Sequence, residues 1–402
     1  MIEEAGQTGG RSGLFGKGGL EKMTPGRMPL NGVVYALAFV LVVELVVRVA
    51  LLWPGSSDHL RVDHERSWRQ QWVERHRETG KEIYYEFDVY DATKGWISRP
   101  NLRNVRVFRD KILNTNSKGY RGNEEYAYRN IDGKTRIVVL GDSFTFGDDV
   151  SDDETYASYL QESLPQAEVI NLGVHGYAHD QMLMILMEDG VKYDPDIVLI
   201  GFVHWDMSRN LLNFRDFAKP RFFRTEDGKL QRTGVPVPSP EQVLGDYEAR
   251  LFRLRSFDVL FAIYRRLYER TERYEKEKAE ITRALIDRIV QVARDAGATP
   301  VLAYLPVEDE ITSDRRPTRG ERFMMSLCRT DTEARCTSTR TDFAEEMTRG
   351  VRFKTQGHWR STGHEVAARS IEKYLVEEGL LKSGKQVLRT PGIHRRTASG
   401  AD

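Results

Sequence analysis

Cysteine is almost missing, with two in 402 residues. That excludes a disulfide-built scaffold and a four-cysteine zinc site. A surplus of either charge is missing too. Lys+Arg and Asp+Glu stand at 60 each, a formal net charge of zero, so no basic excess points to a nucleic-acid partner. No internal repeat is visible. At 40% hydrophobic and 30% charged residues, the chain reads as a soluble globular body, neither disordered nor polytopic in a membrane. Long apolar runs are lacking as well, with one exception near the N-terminus.

That exception is residues 32–53, GVVYALAFVLVVELVVRVALLW. A helix of this length can cross an apolar layer of about 30 Å. Only Glu44 and Arg48 interrupt it, and at i, i+4 they share a face and can pair. The run is long for a signal peptide, and no small-residue cleavage site follows it. An uncleaved single-pass anchor is therefore expected. Arg11, Lys17, Lys22 and Arg27 precede it, which predicts a single pass through a bacterial inner (cytoplasmic) membrane, with a cytoplasmic leader (1–31) and a body outside, periplasmic in a Gram-negative cell and otherwise extracellular. Outside the cytoplasm Cys328 and Cys336 can form a disulfide; two unpaired thiols in a loop are the alternative.

Residues 54–133 read as a juxtamembrane and entry region: a charged helix over 60–85, then irregular chain with Gly, Asn and Pro breaks. From 134 to 381 short apolar runs alternate with helical patterns. The runs are 136–140 (RIVVL), 169–172 (VINL), 197–203 (IVLIGFV) and 301–305 (VLAYL). They lack polar alternation, as strands buried on both faces do. Helices are expected over 153–164, 178–188, 281–296 and 362–378. The alternation predicts an α/β three-layer sandwich with a mainly parallel sheet. The interval 207–280 shows no obvious strand and reads as an insertion. Its charged helical stretch is a solvated face or, from its place beside the strand ends, a lid. Residues 382–402 read as a basic disordered tail.

Three strand-end loops carry candidate chemistry. The first is RIVVLGDSFTFG: an apolar strand runs into Gly141-Asp142-Ser143, where open α/β sheets place their sites. A serine there is also an ordinary helix N-cap. The second, NLGVHGY at 171–177, holds Gly173, whose missing side chain lets a backbone N–H approach an oxygen. The third, Gln356-Gly357-His358-Trp359, offers a general base for Ser143. His175, His179, His204 and His364 lack a metal-ligand spacing, so no metal and no cofactor are expected.

Together these blocks resemble the SGNH (GDSL-type) hydrolase superfamily, over about residues 113–375. GDSFTFGDDV is similar to its first block, NLGVHGYAHDQ to its second and GHWRSTGH to its last. The chain most resembles membrane-anchored bacterial members. The resemblance implies a flavodoxin-like sandwich with Ser143 as nucleophile, the Ser143 and Gly173 N–H groups as oxyanion donors, His358 as general base and Asp142 as a supporting residue. Two positions depart from the pattern. Trp205 (or His204, one residue off) stands where the third block places an Asn donor, and Gln356 stands where an Asp orients the histidine. Asp206 is a substitute acid to consider. The expected function is an anchored extracytoplasmic esterase or deacylase acting on O-acyl groups of an envelope glycan. Acyl transfer to a sugar hydroxyl, a catalytically degenerate glycan-binding or scaffold protein, and an interaction module using the charged helix are the alternatives.

Overall fold

The computed structural model describes residues 30–53, 62, 64–249, 254–312, 316–328, 333–353 and 357–381. Residues 1–29 of the leader, the basic tail and Gln356 lie outside the described residues, and α1 takes in the leader's last two residues. The apolar run forms helix α1, Leu30–Ala50, and its side chains are almost all exposed. The expected i, i+4 pair is made, with Arg48 Nε donating to Glu44 Oε1 at 2.6 Å. Among the described side chains of this helix Glu44 alone is buried, for a reason beyond that pair. Its carboxylate also accepts the Arg255 and Ser256 N–H groups and the Ser256 hydroxyl, each at 2.9 Å.

The charged juxtamembrane stretch is α2, Glu65–Thr79, closed by Gly80 at φ 67°, where the left-handed conformation suits glycine. The entry region then makes two antiparallel hairpins. One pairs β1 (Asp88–Asp91) with β2 (Gly95–Ser98), the other β3 (Val105–Val107) with β4 (Lys111–Leu113). This is more than a spacer. Trp72 of α2 and Trp96 of β2 are fully buried in the same apolar cluster as the central sheet, and the Trp72 indole N–H donates to Glu82 O at 3.0 Å. Burying each such side chain contributes about 1.5–3 kcal/mol, which fixes the region to the body.

Thereafter the chain runs β5 (Thr135–Leu140), α3 (Ser143–Phe146), α4 (Tyr156–Ser163), β6 (Ala167–Asn171), α5 (His179–Glu188), β7 (Ile197–Phe202) and α6 (Asp206–Arg209). Two short hairpins follow, β8 (Phe214–Arg215) with β9 (Phe217–Ala218) and β10 (Arg221–Arg224) with β11 (Leu230–Thr233). Next come α7 (Pro240–Glu248), α8 (Arg255–Tyr268), α9 (Glu272–Asp295), β12 (Thr299–Tyr304), α10 (Arg319–Leu327), β13 (Arg335–Ser338), α11 (Arg340–Thr348) and α12 (Ser361–Glu377). The central sheet is five-stranded, in the order β13-β12-β7-β5-β6, and every pair is parallel.

This is the three-layer sandwich that the sequence predicts. Successive residues of β5 face opposite layers. Val138 and Leu140 pack with Leu285 and Ile289 of α9, while Ile137 and Val139 pack with Leu160 of α4 and Ile371 of α12. Strand β5 sits between β6 and β7, so the connections diverge at its carboxyl end and open a crevice there.

One expectation is corrected, and one strand goes beyond the predicted runs. The interval 207–280 does hold strands, but β8–β11 are two to four residues long and paired only with each other, too short for a periodic pattern. The edge strand β13 reads RCTS and is only half-buried, so it lacks the apolar run that marks the others. Cys336 on β13 is disulfide-bonded to Cys328 at the end of α10.

Candidate active site

Ser143 opens α3 at the carboxyl end of β5 and lines a cavity of about 690 Å³. Three neighbours shape the turn. A Cβ on Gly141 would lie 1.9 Å from Thr145 Oγ1, so only glycine lets the chain fold back so tightly. Asp142 caps α3, with the Phe144 N–H donating to Asp142 Oδ1 at 3.0 Å. Thr145 Oγ1 is fixed to Tyr156 Oη at 2.8 Å. His358 arrives from the loop before α12, and its Nε2 lies 2.8 Å from Ser143 Oγ. Buried Trp359 holds that loop: its indole N–H donates to Pro306 O at 2.9 Å and its ring packs on Phe144 with centroids 5.0 Å apart. A serine hydroxyl can donate to an imidazole nitrogen at this distance, the geometry of a nucleophile and its base.

On the other side of the imidazole stands Asp149, its Oδ2 3.7 Å from His358 Nδ1. Asp149 has φ 67°, a left-handed conformation uncommon outside glycine but tolerated by Asp. Asp148 is buried, and its Oδ2 lies 2.5 Å from His175 Nδ1. The loop carrying both aspartates is clamped by Arg121 of the entry region. Its guanidinium donates to Gly147 O at 2.9 Å, to Val150 O at 2.7 Å and to Asp152 Oδ1 at 2.6 Å.

The other predicted site residues fall differently. The Gly173 N–H donates to Asn171 Oδ1 at 2.9 Å, and its missing Cβ makes room for the backbone of α3; it is not turned to the cavity. Gly176 (φ 74°) stands beside it instead. A Cβ there would come within 2.4 Å of Asp216 Oδ2 and 2.9 Å of Arg215 Nη1, and both of those residues line the cavity. Trp205 lines the cavity wall, its ring 6.1 Å from Phe144. Asp206 does not serve His358. Arg209 Nη1 donates to Asp206 Oδ1 at 2.6 Å and to Asp142 Oδ2 at 3.1 Å, joining two buried carboxylates. Burial, with the Asp142 charge beside it, pushes the Asp206 carboxyl well above its usual range against the pull of Arg209.

The remaining histidines are held by separate partners. Burial lowers His179 and His364 to about 3, so both are neutral. His179 Nδ1 lies 3.1 Å from Asn210 Nδ2, and His364 Nδ1 accepts the Tyr156 N–H at 3.2 Å. His204 lies 3.2 Å from Glu310. Burial lowers His175, but the Asp148 carboxylate, joined by Asp216 and Asp88, outweighs it and the net shift is upward.

Asp88, fully buried near His175, is raised from its ordinary value of 3.8 to about 7, by burial and against the attraction of His175. A folded-state pKa above the unfolded one gives stability that is complete below the unfolded value and is lost as pH rises through the folded value. Asp88 therefore costs stability between pH 3.8 and about 7, with a slope of at most about 1.4 kcal/mol per pH unit. Asp88→Asn should remove that slope. Its urea midpoint relative to the unsubstituted protein should be more favourable at pH 8 than at pH 4.

No family model and no curated protein matches the chain. Among solved structures, the chain is similar to the acetyl xylan esterase AlAXEase, at 12% identity and a TM-score of 0.37, over 60% of this chain and 99% of that one. It is also similar to the acetylxylan esterase Axe2 from Geobacillus stearothermophilus, at 15% identity and a TM-score of 0.35, over 61% and 94%. A member of the lipolytic protein G-D-S-L family from Veillonella parvula gives 12% identity and a TM-score of 0.35, over 60% and 98%. What the site can do follows from its own residues.

Proposed function

We propose that the chain is a serine esterase or deacylase, held to a membrane by α1 and acting on O-acyl groups of an envelope glycan. The observation that carries this reading is the 2.8 Å approach of His358 Nε2 to Ser143 Oγ at the switch point of the sheet. Ser143 Oγ attacks the ester carbonyl while His358 takes its proton, and the C–O bond breaks as that proton passes to the leaving alcohol. Water, deprotonated in turn by His358, splits the acyl-enzyme and frees Ser143. Ester and water become acid and alcohol. The Ser143 and Gly176 N–H groups have no internal acceptor among the described residues, and they are the oxyanion donors in this reading. Asp149 orients His358 in the role the family pattern gives to residue 356.

The glycan reading is supported by the cavity walls. Trp68, Tyr84, Tyr85 and Trp205 offer aromatic faces for the C–H surface of a sugar ring, and Gln71, Ser208 and Arg215 offer polar groups for its hydroxyls. The anchor reading is supported by the length and exposure of α1 and by the four basic residues before it. To test the reading, the full chain is exposed to a fluorophosphonate probe and the adduct mapped by mass spectrometry. The expected adduct is on the peptide carrying Ser143 and is absent from Ser143→Ala. Folded protein that takes up no probe would overturn the esterase reading.

A further inference from the structure

The amphipathic helix α8 is inside out. Its inward line is polar: Asp258 and Arg265 are buried with Ala262 between them, while Ser256, at the start of the opposite line, is buried by its hydrogen bond to Glu44 of α1. Its outward line is apolar: Phe257, Leu260, Ile263, Tyr264 and Leu267 are each at least 50% exposed. A helix resting against a protein body in water turns its apolar stripe inward. The neighbouring charged helix α9 shows what a wetted face looks like here, with Arg273–Glu277 and Lys276–Glu280 paired along its outer side.

The N-terminus of α8 says what covers the apolar line. Its first two N–H groups donate to the Glu44 carboxylate, and Glu44 belongs to α1. Glu44 lies six residues before Ala50, the end of α1 nearest the body. At 1.5 Å per residue that is about 9 Å below the end of the apolar helix. Interfacial amphipathic helices bury their apolar faces about 5–10 Å into a bilayer. Helix α1 packs against α8, and on the Glu44 side of α1 the apolar residues Leu37 and Leu41 are also at least 60% exposed.

We infer that α8 lies in the outer leaflet of the membrane that α1 crosses, with its Phe257–Leu267 face among the acyl chains. The inference rests on the anchor reading and goes beyond it. A single crossing helix tethers a body at any distance or tilt, whereas a second helix fixed to Glu44 sets both. The setting reaches the site. Phe261 of α8 packs edge-on against His64 with centroids 4.5 Å apart, and the Arg66 guanidinium lies 4.9 Å from the Phe261 ring centroid. Those residues begin α2, whose Trp68 and Gln71 line the cavity. The catalytic cavity is thereby held next to the headgroups.

The test uses the full chain in vesicles of phosphatidylcholine and phosphatidylglycerol. Single cysteines carry an environment-sensitive fluorophore; the native pair is disulfide-bonded and does not compete. The positions are Leu260→Cys on α8, Leu41→Cys on α1 and Lys276→Cys on the wetted face of α9. Tyr264→Cys repeats the α8 measurement should Leu260→Cys fail to fold. The α8 label is expected to lose more than half its emission to nitroxide lipid and little to aqueous iodide, with Lys276→Cys the reverse. Leu41→Cys quenched by lipid while Leu260→Cys is quenched by iodide would leave the anchor standing and overturn the α8 inference. Leu41→Cys quenched by iodide would overturn both. Leu260→Cys shielded from both quenchers would place a protein surface on the face, also against the inference.

Discussion

Ser143→Ala and His358→Ala are each expected to lower kcat for nitrophenyl acetate by about 10⁴-fold or more, and the double variant by no more than either alone. The 2.8 Å contact makes them one device. A hydroxyl without its base is a poor nucleophile, and a base without the hydroxyl has nothing to activate. In serine hydrolases whose two groups act as a unit, single and combined losses come out nearly equal, up to about 10⁶-fold. The fold should tolerate both changes. Ser143 contributes only its hydroxyl to His358, α3 stays capped by Asp142, and the loop before α12 stays pinned by Trp359. The cavity walls are untouched, so KM should move little while kcat collapses. Steady-state kinetics beside far-ultraviolet circular dichroism checks this. Losses that add on a logarithmic scale would mean that the two residues do not share a proton.

Much of this site was legible in the sequence because each visible part is local. RIVVL followed by Gly-Asp-Ser is a strand, a turn and a helix start within eight residues, and the described β5 and α3 reproduce it. His358 was legible for a similar reason, standing just before a clear helix. The hidden parts are long-range. No spacing rule reveals that Arg121 reaches the loop after α3, or that Trp68 of α2 walls the cavity. Gly173 and Gly176 are three residues apart in one loop, and only the hydrogen bond to Asn171 tells which one is occupied. The α8 segment misled in another way. Its charges, read together with those of α9, suggested one wetted helix. The break at residues 269–271 separates them, and each half then has its own face.

Asp149→Asn is expected to lower kcat by about 10³–10⁴-fold with KM nearly constant, the size of loss seen when a triad aspartate becomes an amide that favours the wrong histidine tautomer. For His358 Nε2 to accept the Ser143 proton, Nδ1 must carry hydrogen, and Asp149 Oδ2 is the carboxylate oxygen facing it, at 3.7 Å. That separation is longer than a hydrogen bond, and catalytic bonds of this kind commonly tighten only when substrate is bound. Asp148 is a poor alternative, because its Oδ2 is committed to His175 at 2.5 Å. Asp206 is another, because Arg209 holds it. The family pattern places the acid two or three residues before the histidine, where this chain has Gln356. An uncharged amide there can favour a tautomer but cannot stabilise the imidazolium that forms as the proton moves. Gln356→Ala should therefore cost little, and Gln356→Asp should add little while Asp149 is present. In the Asp149→Asn background, however, Gln356→Asp should recover at least ten-fold of the lost rate, since it restores a negative charge at the sequence position where the family pattern has its acid. Kinetics on these four variants separates the readings. A large loss from Gln356→Ala, with little from Asp149→Asn, would return the orienting role to residue 356 and leave Asp149 as a bystander held in a left-handed turn.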